Sequence, residues 1–330
     1  MASLRAGLVG IGAMGRHHAR VLRELDGVEL VAIADAGGDR FGVAGDLPVL
    51  PDIESLIAAG IDIATVALPT QFHEEAALAL AEAGIHTLVE KPIATTVEQG
   101  RRMVEAFESR GLVGAVGHIE RFNPALQQLR RRIEAGDLGE VYQIATRRQG
   151  PFPARIADVG VGKDLASHDV DLTAWVAQSP YERVFAQVTR RSGRPHEDMV
   201  LATGRLASGV IAGHIVNWLS PMKERTTIVT GEKGAFVADT GSGDLTFYAN
   251  GTIPLEWESV QAFRGVSEGD VTRFAYAKRE PLKVEHEAFR DAVLGKESDV
   301  VTMEQGLRTL AVVEGLLESA ETGQSVSFDA

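Results

Sequence analysis

The chain has 330 residues, of which 45% are hydrophobic, and its formal net charge is −13 at pH 7. This length suits about two domains, and the excess of acidic residues argues against a nucleic acid as the main partner. Because the sequence contains no cysteine, it excludes disulfides, a thiolate nucleophile and cysteine-ligated metal sites, and no metal is expected. No apolar run approaches the roughly 20 residues that cross a bilayer, so we expect a cytoplasmic protein without a membrane partner.

The start of the chain has the pattern of a dinucleotide-binding unit. The apolar run 6–9 predicts a buried strand, and a helix is predicted at 14–25. Between them, Gly10, Gly12 and Gly15 have G-x-G-x-x-G spacing. This spacing allows a tight turn, close approach of a pyrophosphate, and packing of the helix against the sheet. The predicted pyrophosphate-binding residues are Gly10, Ile11, Gly12, Ala13, Met14 and Gly15. The alternative is an ordinary strand–turn–helix with incidental glycines.

A second predicted strand, 28–34, ends at Asp35, twenty residues after Gly15. A carboxylate at this place accepts hydrogen bonds from the adenosine ribose and repels a 2′-phosphate, which favours NAD over NADP. Arg40 follows in the same loop and argues the other way, because an arginine there can hold the 2′-phosphate.

Strands and helices continue to alternate up to residue 120. The predicted strands lie at 61–68, 86–90 and 112–117, and the predicted helices with their caps lie at 52–59, 73–83 and 95–109. Asp52 is the predicted cap of the first of these helices, and Thr95 with Glu98 forms the predicted capping box of the last. This alternation predicts a parallel, doubly wound sheet whose ligands bind at the carboxyl ends of the strands. The residues at these ends are Gly10, Asp35, Pro69, Glu90, Lys91 and Gly117.

The pattern changes after residue 120. Helices are predicted at 124–135, 164–177, 281–294 and 303–322, and strands at 141–148, 184–189, 199–206, 210–218, 225–230, 235–239 and 245–248. Turn signals separate most of these strands, which predicts an antiparallel or mixed sheet. The sequence therefore indicates an α/β protein with a parallel sheet in its first domain and an open, mainly antiparallel sheet in its second.

Two groups of residues suit acid–base chemistry. Lys91 follows Glu90 at the carboxyl end of a predicted strand, where it would face the cofactor crevice; the alternative is a surface lysine paired with Glu90. Asp164 and His168 are spaced i and i+4, so on a helix both side chains lie on one face. An imidazole suits removal of a hydroxyl proton, and a carboxylate one turn away can orient it. The alternative is a surface ion pair on an amphipathic helix.

The segment 117–124 lies at the junction of the two predicted domains. Clefts between domains are common ligand sites. The alternative is a helix-entry loop, in which Asn123 caps the helix and Pro124 takes its first position.

In this order and spacing, several sets of residues resemble the glucose–fructose oxidoreductase / inositol dehydrogenase / MocA (Gfo/Idh/MocA) family of NAD(P)-dependent oxidoreductases. These sets are the glycine turn, Ala67-Leu68-Pro69-Thr70 with His73, Glu90-Lys91-Pro92, and Asp164 with His168. The resemblance implies an NAD-binding Rossmann domain at 1–120 and a domain for substrate binding and oligomerisation at 121–330. It also implies a homodimer or homotetramer that forms through the open sheet, with the final helix packed back on the Rossmann domain.

The resemblance assigns roles to the matching residues. Lys91 and His168 resemble the paired catalytic residues of the family, and Asp164 resembles their acidic partner. Beyond the glycine turn and Asp35, the implied cofactor-binding residues are Pro69, Thr70, His73, Glu90, Lys91 and Pro92. The implied substrate-binding residues are Lys91, Arg121, Asn123, Arg155, Asp164 and His168. A cis peptide bond is expected between Lys91 and Pro92.

A narrower resemblance is to UDP-N-acetylglucosamine 3-dehydrogenases and related nucleotide-sugar members. It rests on the segments 117–124 (GHIERFNP), 169–171 (DVD) and 279–282 (REPL). The chain departs from the pattern at Gly162-Lys163, where apolar residues are expected. This departure bears on the identity of the substrate more than on the reaction.

The expected reaction is hydride transfer between the nicotinamide and a secondary sugar hydroxyl, at C3 of a nucleotide sugar such as UDP-N-acetylglucosamine. His168 would take the hydroxyl proton, and Lys91 would stabilise the developing alkoxide. Because guanidinium pairs well with phosphate, the candidates for a diphosphate are Arg121, Arg147, Arg148 and Arg155. The alternatives are a free-sugar or inositol dehydrogenase, and an NAD(H)-binding sensor or scaffold without turnover.

Overall fold

The structure is a computed structural model that describes residues 3–153, 159–251 and 269–328. The chain divides into two compact units: Met1–Ile119 with Glu280–Ala311, and Glu120–Arg279 with Val312–Ala330. Residues 280–311, which the resemblance places in the second domain, belong to the first unit.

A parallel sheet forms the centre of the first unit. Its strands are β1 (Leu4–Val9), β2 (Val28–Ala34), β3 (Val49–Leu50), β4 (Ile63–Val66), β5 (His86–Glu90) and β6 (Gly114–Gly117). They are ordered β3-β2-β1-β4-β5-β6, and each paired strand runs parallel to its neighbour. This arrangement confirms the predicted doubly wound sheet. The central strands β1 and β4 are buried over most of their length, which explains their continuous apolar sequences.

Helices of the first unit pack against this sheet. They include α1 (Gly15–Arg23), α2 (Ile53–Ala58), α3 (His73–Glu82) and α4 (Val97–Glu108). Asp52 caps α2, as predicted. The capping box of α4 lies one residue later than predicted, at Thr96 and Gln99 instead of Thr95 and Glu98. The side-chain oxygen of Gln99 accepts the backbone N–H groups of both threonines at 3.1 Å, so one side chain pairs two donors near the helix start.

A mixed sheet forms the second unit. Its described strands are β7 (Val141–Pro151), β8 (Tyr181–Thr189), β9 (Met199–Leu206), β10 (Ile211–Asn217), β11 (Leu219–Gly231), β12 (Gly234–Asp239), β13 (Asp244–Ala249), β14 (Val271–Arg273) and β15 (Val326–Ser327). Their order is β14-β13-β12-β11-β7-β10-β9-β8-β15. β10 runs parallel to β7, and the other described pairs are antiparallel. The predicted open, mainly antiparallel sheet is therefore confirmed.

Helices cover one face of this second sheet. They include α5 (Pro124–Glu134), which packs on β12 and β13, and α6 (Ser167–Ala177), which packs on β7. Along β9, Val200 and Leu206 are buried in the core, whereas Leu201 is 46% exposed. Because successive side chains of a strand point to opposite faces, the other face of the sheet is open. Its exposed large side chains include Phe185, Leu201, Ile211 and Ile228.

A π-helical turn, Gly162–Ala166, leads directly into α6. The α-helix that is predicted from residue 164 therefore begins only at Ser167. Ser167 Oγ donates a hydrogen bond to the Lys163 carbonyl, four residues earlier, at 2.8 Å. The side chain therefore competes with backbone N–H groups for this carbonyl. π-helical turns of this kind are frequent at functional sites.

The last two helices are α7 (Pro281–Val293) and α8 (Met303–Thr322). α7 packs on α1 and buries Phe289 in the core of the first unit. α8 contributes Met303 and Leu307 to the core of the first unit, and Val313 and Leu316 to the core of the second. None of the helices in the described ranges combines the length and the apolar content that a membrane span needs.

Candidate active site

The predicted pyrophosphate site is the turn between β1 and α1. Gly10 has a φ of +87°, which residues with a side chain rarely adopt. A Cβ on Gly15 would overlap the carbonyl oxygen of Gly10, so the turn and the start of α1 are in close contact. Apart from Gly12 and its two chain neighbours, no atom of the described residues lies within 4 Å of the position that a Cβ on Gly12 would take. A tight turn that is open at Gly12 and continues into a helix N-terminus suits the approach of a pyrophosphate.

Asp35 connects this turn to the loop after β2. Its Oδ2 accepts the backbone N–H of Ile11 at 2.9 Å, and its Oδ1 accepts the backbone N–H of Gly37 at 2.7 Å. Arg40 is exposed and lies in the same loop, with its Nε 3.4 Å from the Gly37 carbonyl oxygen. Each carboxylate oxygen has a second lone pair, so Asp35 can also accept ribose hydroxyls. The residues of this region therefore fit an adenine dinucleotide.

His73 joins the loops that follow β4 and β5. Its Nε2 lies 2.9 Å from the Leu68 carbonyl oxygen, and its Nδ1 lies 3.0 Å from that of Pro92. Burial lowers the pKa of His73, against the opposite effect of these carbonyls. A neutral ring has one N–H, so it donates to one of the two carbonyls at a time. The Lys91–Pro92 peptide bond is cis, as the resemblance implies.

The loop after β4 continues through Pro69 into the 3₁₀-helix Thr70–Phe72. At the end of the neighbouring strand, Glu90 Oε2 accepts the backbone N–H of Lys91 at 3.1 Å. Glu90 Oε1 lies 2.8 Å from His18 Nε2. The sequence alone predicts no role for His18. The available signal was a histidine on the apolar side of the helix that follows the glycine turn.

Asp164 and His168 lie in the second unit, Asp164 in the π-helical turn and His168 at the second position of α6. They are 5% and 9% exposed. The prediction that they share one helix face assumed an α-helix, and the wider π-helical turn removes that basis. Lys163, where the chain departs from the nucleotide-sugar pattern, pairs with Glu314 of α8 at 3.3 Å. The catalytic roles of Asp164 and His168 stay predictions.

Buried ion pairs surround the start of α6. Arg148 donates to Asp169 and to Glu120, both at 3.0 Å. Arg121 donates to both oxygens of Asp171, at 2.7 Å and 2.6 Å. Burial raises the pKa of Asp169 even though Arg148 opposes this effect. Burial also acts to raise the pKa of Glu120, but Arg148, Thr240 and Arg225 together lower the pKa below its ordinary value.

These pairs bear on the residues predicted to bind the substrate. Arg148 is 4% exposed and is engaged by two carboxylates, which argues against a contact with a diphosphate. Arg147 lies on the open face of the sheet, and its side chain is 52% exposed. Asn123 caps α5, as the helix-entry alternative predicts. Arg155 lies outside the described residues. The substrate contacts of Arg121 and Asn123 stay predictions.

Two segments of this chain match models of one protein family. Residues 4–118 match the family model described as "Oxidoreductase family, NAD-binding Rossmann fold", and residues 126–237 match the "GFO/IDH/MocA C-terminal domain". The chain belongs to the GFO/IDH/MocA family of oxidoreductases. The predicted family, the NAD cofactor and the enzymatic class are thereby confirmed.

Individual relatives of this oxidoreductase act on sugars or inositols, as their names state. UDP-N-acetylglucosamine 3-dehydrogenase of Acidithiobacillus ferrooxidans is 30% identical over 318 residues, which cover 94% of this chain and 95% of that protein. Inositol 2-dehydrogenase 1 of Saccharopolyspora erythraea is 30% identical over 347 residues, which cover 99% of this chain and 97% of that protein. A solved structure of the A. ferrooxidans enzyme superposes with a TM-score of 0.87 at 26% identity, covering 98% of this chain and 99% of that chain.

Proposed function

We propose that this oxidoreductase transfers a hydride between NAD and the C3 carbinol of a nucleotide sugar such as UDP-N-acetylglucosamine. The observation that carries the proposal is the similarity, along 94% of the chain, to an enzyme named for that activity. The structure adds support. The segments 117–124 and 169–171, on which the resemblance to nucleotide-sugar members rests, are joined by the buried ion pairs at the start of α6. The ion pairs therefore attach the first segment to α6, the helix that contains both residues 169–171 and His168.

The proposed roles follow from side-chain chemistry. His168 accepts the hydroxyl proton at a ring nitrogen, and the carboxylate of Asp164 orients the ring. The ammonium group of Lys91 stabilises the negative charge that develops on the same oxygen. Bound NAD supplies the acceptor for the hydride that leaves the carbon. The glycine turn holds the pyrophosphate, and Asp35 holds the adenosine ribose.

The test compares substrates with the purified protein and NAD. Turnover is measured as the increase in NADH absorbance. We expect kcat/KM for UDP-N-acetylglucosamine to exceed that for glucose, myo-inositol and scyllo-inositol by roughly 100-fold or more. The reason is that a diphosphate adds charge-assisted hydrogen bonds of about 1.5–3 kcal/mol each. Turnover of an inositol without turnover of any nucleotide sugar would contradict the proposal.

The second candidate function is a free-sugar or inositol dehydrogenase. It is favoured by the equal identity, 30%, to an inositol 2-dehydrogenase that spans 99% of this chain. The engagement of Arg148 inside the second unit also fits a substrate without a diphosphate. The same substrate comparison decides between the two candidates.

We further propose that copies of this oxidoreductase associate through the open face of the second sheet. That face presents exposed apolar side chains on β8, β9, β10 and β11, and a cavity of about 490 Å³ is lined by Phe185, Leu201 and Ile228, among others. Contiguous exposed apolar surface of this kind is typical of an interface between protein chains.

A further inference from the structure

Three side chains of the first unit form a hydrogen-bonded row that the proposed reaction does not use. His18 Nε2 lies 2.8 Å from Glu90 Oε1, and His18 Nδ1 lies 2.8 Å from His286 Nε2. The two histidines are 0% and 1% exposed, and the side chain of Glu90 is 12% exposed. The row joins α1, the end of β5 and α7. It ends beside Lys91, whose backbone N–H donates to the other oxygen of Glu90.

The donor and acceptor capacities of the side chains determine the direction of the hydrogen bond between His18 and Glu90. An ionised carboxylate only accepts, so His18 Nε2 carries the proton that it donates to Glu90. In a neutral His18, Nδ1 is then an acceptor, and His286 Nε2 is its donor. Burial lowers the pKa of His286 well below its ordinary value. His286 is therefore neutral and donates from a single nitrogen.

The ionised form of Glu90 depends on its neighbours. Burial acts to raise the pKa of Glu90, but the hydrogen bond from His18 and the charge and backbone N–H of Lys91 oppose it, and the pKa lies below its ordinary value. Among the described residues, the titratable groups that face Glu90 include His18 from α1, Lys91 beside it and His73 from α3. β6 faces it with Gly117, which has no side chain. Without the His18 donor, desolvation would favour the neutral carboxyl.

We propose that His18 and His286 are positioning residues for Lys91: they hold the Glu90 carboxylate ionised and in one orientation against it. The anion attracts the charged side chain of Lys91, whose charge in turn lowers the pKa of Glu90. The ammonium is the form that stabilises an alkoxide. The inference rests on the proposed catalytic role of Lys91, but the state of Glu90 can be measured without any substrate.

The first test reads the histidine rings of the unaltered full-length protein by nitrogen NMR. We expect His18 to carry a proton on Nε2 and His286 to carry its proton on Nε2. This measurement needs no variant and no activity. A His18 whose only proton lies on Nδ1 would overturn the proposal, because that ring could not donate to Glu90.

The second test titrates the side-chain carboxyl carbon of Glu90 by NMR, with Glu90→Gln to assign the signal. In His18→Leu the pKa of Glu90 should rise by about one unit or more, a tenfold gain in proton affinity, because the carboxylate loses its donor. His18→Gln, whose amide can donate in place of Nε2, should restore most of the shift. His17→Leu, on the exposed side of α1, should leave it unchanged. An identical titration of Glu90 in His18→Leu and the unaltered protein would refute the role of His18.

The third test is the pH profile of kcat on whichever sugar the protein turns over. In His18→Leu the acidic limb of the kcat profile should move to higher pH, because the pKa of Glu90 rises. In His286→Leu the acidic limb should move less, in the same direction. An acidic limb that stays in place in both variants would mean that Glu90 does not act on Lys91. If no sugar is turned over, the proposed function fails, while the Glu90 titration still tests the row.

Discussion

Asp35 accepts the backbone N–H of Ile11 at 2.9 Å, so one carboxylate holds the glycine turn from the end of the neighbouring strand. Its other oxygen orders the loop at Gly37. The same group thus supports the turn, and its remaining lone pairs can accept the ribose hydroxyls that we propose it binds.

Asp35→Ala should weaken NADH binding by about 10- to 100-fold, because it removes charge-assisted hydrogen bonds to the ribose together with the bond that orders Ile11. Asp35→Asn should narrow the preference for NADH over NADPH, since a neutral amide does not repel a 2′-phosphate. Fluorescence titration of the reduced cofactors measures both effects. Asp46→Ala, which alters an exposed carboxylate further along the same segment, is the control. Equal affinities of Asp35→Ala and Asp46→Ala would contradict the cofactor role of Asp35.

Lys91→Ala and His168→Ala should each lower kcat by about 100-fold or more, because general-base catalysis and stabilisation of an oxyanion each contribute at this scale. Both variants should still bind NADH, since the glycine turn and Asp35 are unchanged. Lys296→Ala, which removes an exposed lysine of the first unit, is the matched control. Turnover close to that of the control in both variants would remove the basis of the proposed mechanism.

Much of the fold is predictable because its signals are local. β2, β5, β9 and α8 have the predicted bounds, since apolar periodicity and turn residues delimit them. β3, β14 and β15 have two or three residues each, which is too short for a pattern. The parallel pairing of β10 with β7 joins distant segments, and local sequence holds no information on such a partner.

The same distinction applies to the site. The glycine turn and Asp35 are predictable because their spacing is local. Arg147 and Arg148 are adjacent in the sequence, yet the strand directs one to the open face and the other into a buried pair of carboxylates. The contact between His18 and His286 joins residues 268 positions apart. Sequence periodicity identifies which side of a helix is buried, but it does not identify the partner that meets it there.

The open sheet face predicts an association that a single charge should disrupt. Leu201→Arg should convert a dimer or tetramer to a smaller species, because a buried unpaired charge in an interface costs several kcal/mol. Light scattering after size-exclusion chromatography measures the mass. Leu294→Arg alters a similarly exposed leucine, 40% against 46%, in the first unit and should leave the mass unchanged. A monomeric unaltered protein would contradict the proposed interface.

His214 predicts a loss of stability at acidic pH. Its ring nitrogens lie 2.8 Å from Thr146 Oγ1 and from the Tyr181 hydroxyl, and burial lowers the pKa of His214 to about 4. In the unfolded chain a histidine titrates near 6.5, so the unfolded state binds more protons between these values. The buried neutral ring of His214 therefore contributes fully to the free energy of unfolding above about pH 6.5. As the pH falls toward about 4, the free energy of unfolding decreases by up to about 3 kcal/mol.

Denaturant unfolding between about pH 7.5 and about pH 5 measures this effect. His214→Gln keeps hydrogen-bonding capacity without a titrating ring, so its free energy of unfolding should depend less on pH than that of the unaltered protein. His196→Gln, in the loop between β8 and β9, should retain the dependence of the unaltered protein. Parallel pH profiles for His214→Gln and His196→Gln would mean that His214 is not the group responsible.

Arg148 and Arg147 form a matched pair for measuring the buried ionic cluster. Arg148→Met leaves Asp169 and Glu120 without their shared guanidinium, so it should lower the free energy of unfolding by about 3–5 kcal/mol. Arg147 lies beside Arg148 on β7 and pairs with Glu224 at the surface. Arg147→Met should therefore lower the free energy of unfolding by less than about 1 kcal/mol. Because the removed charge and the new side chain are the same, the difference between the two variants isolates burial. Similar losses in both would mean that the cluster around α6 is solvated, and that Arg148 is free to contact a substrate.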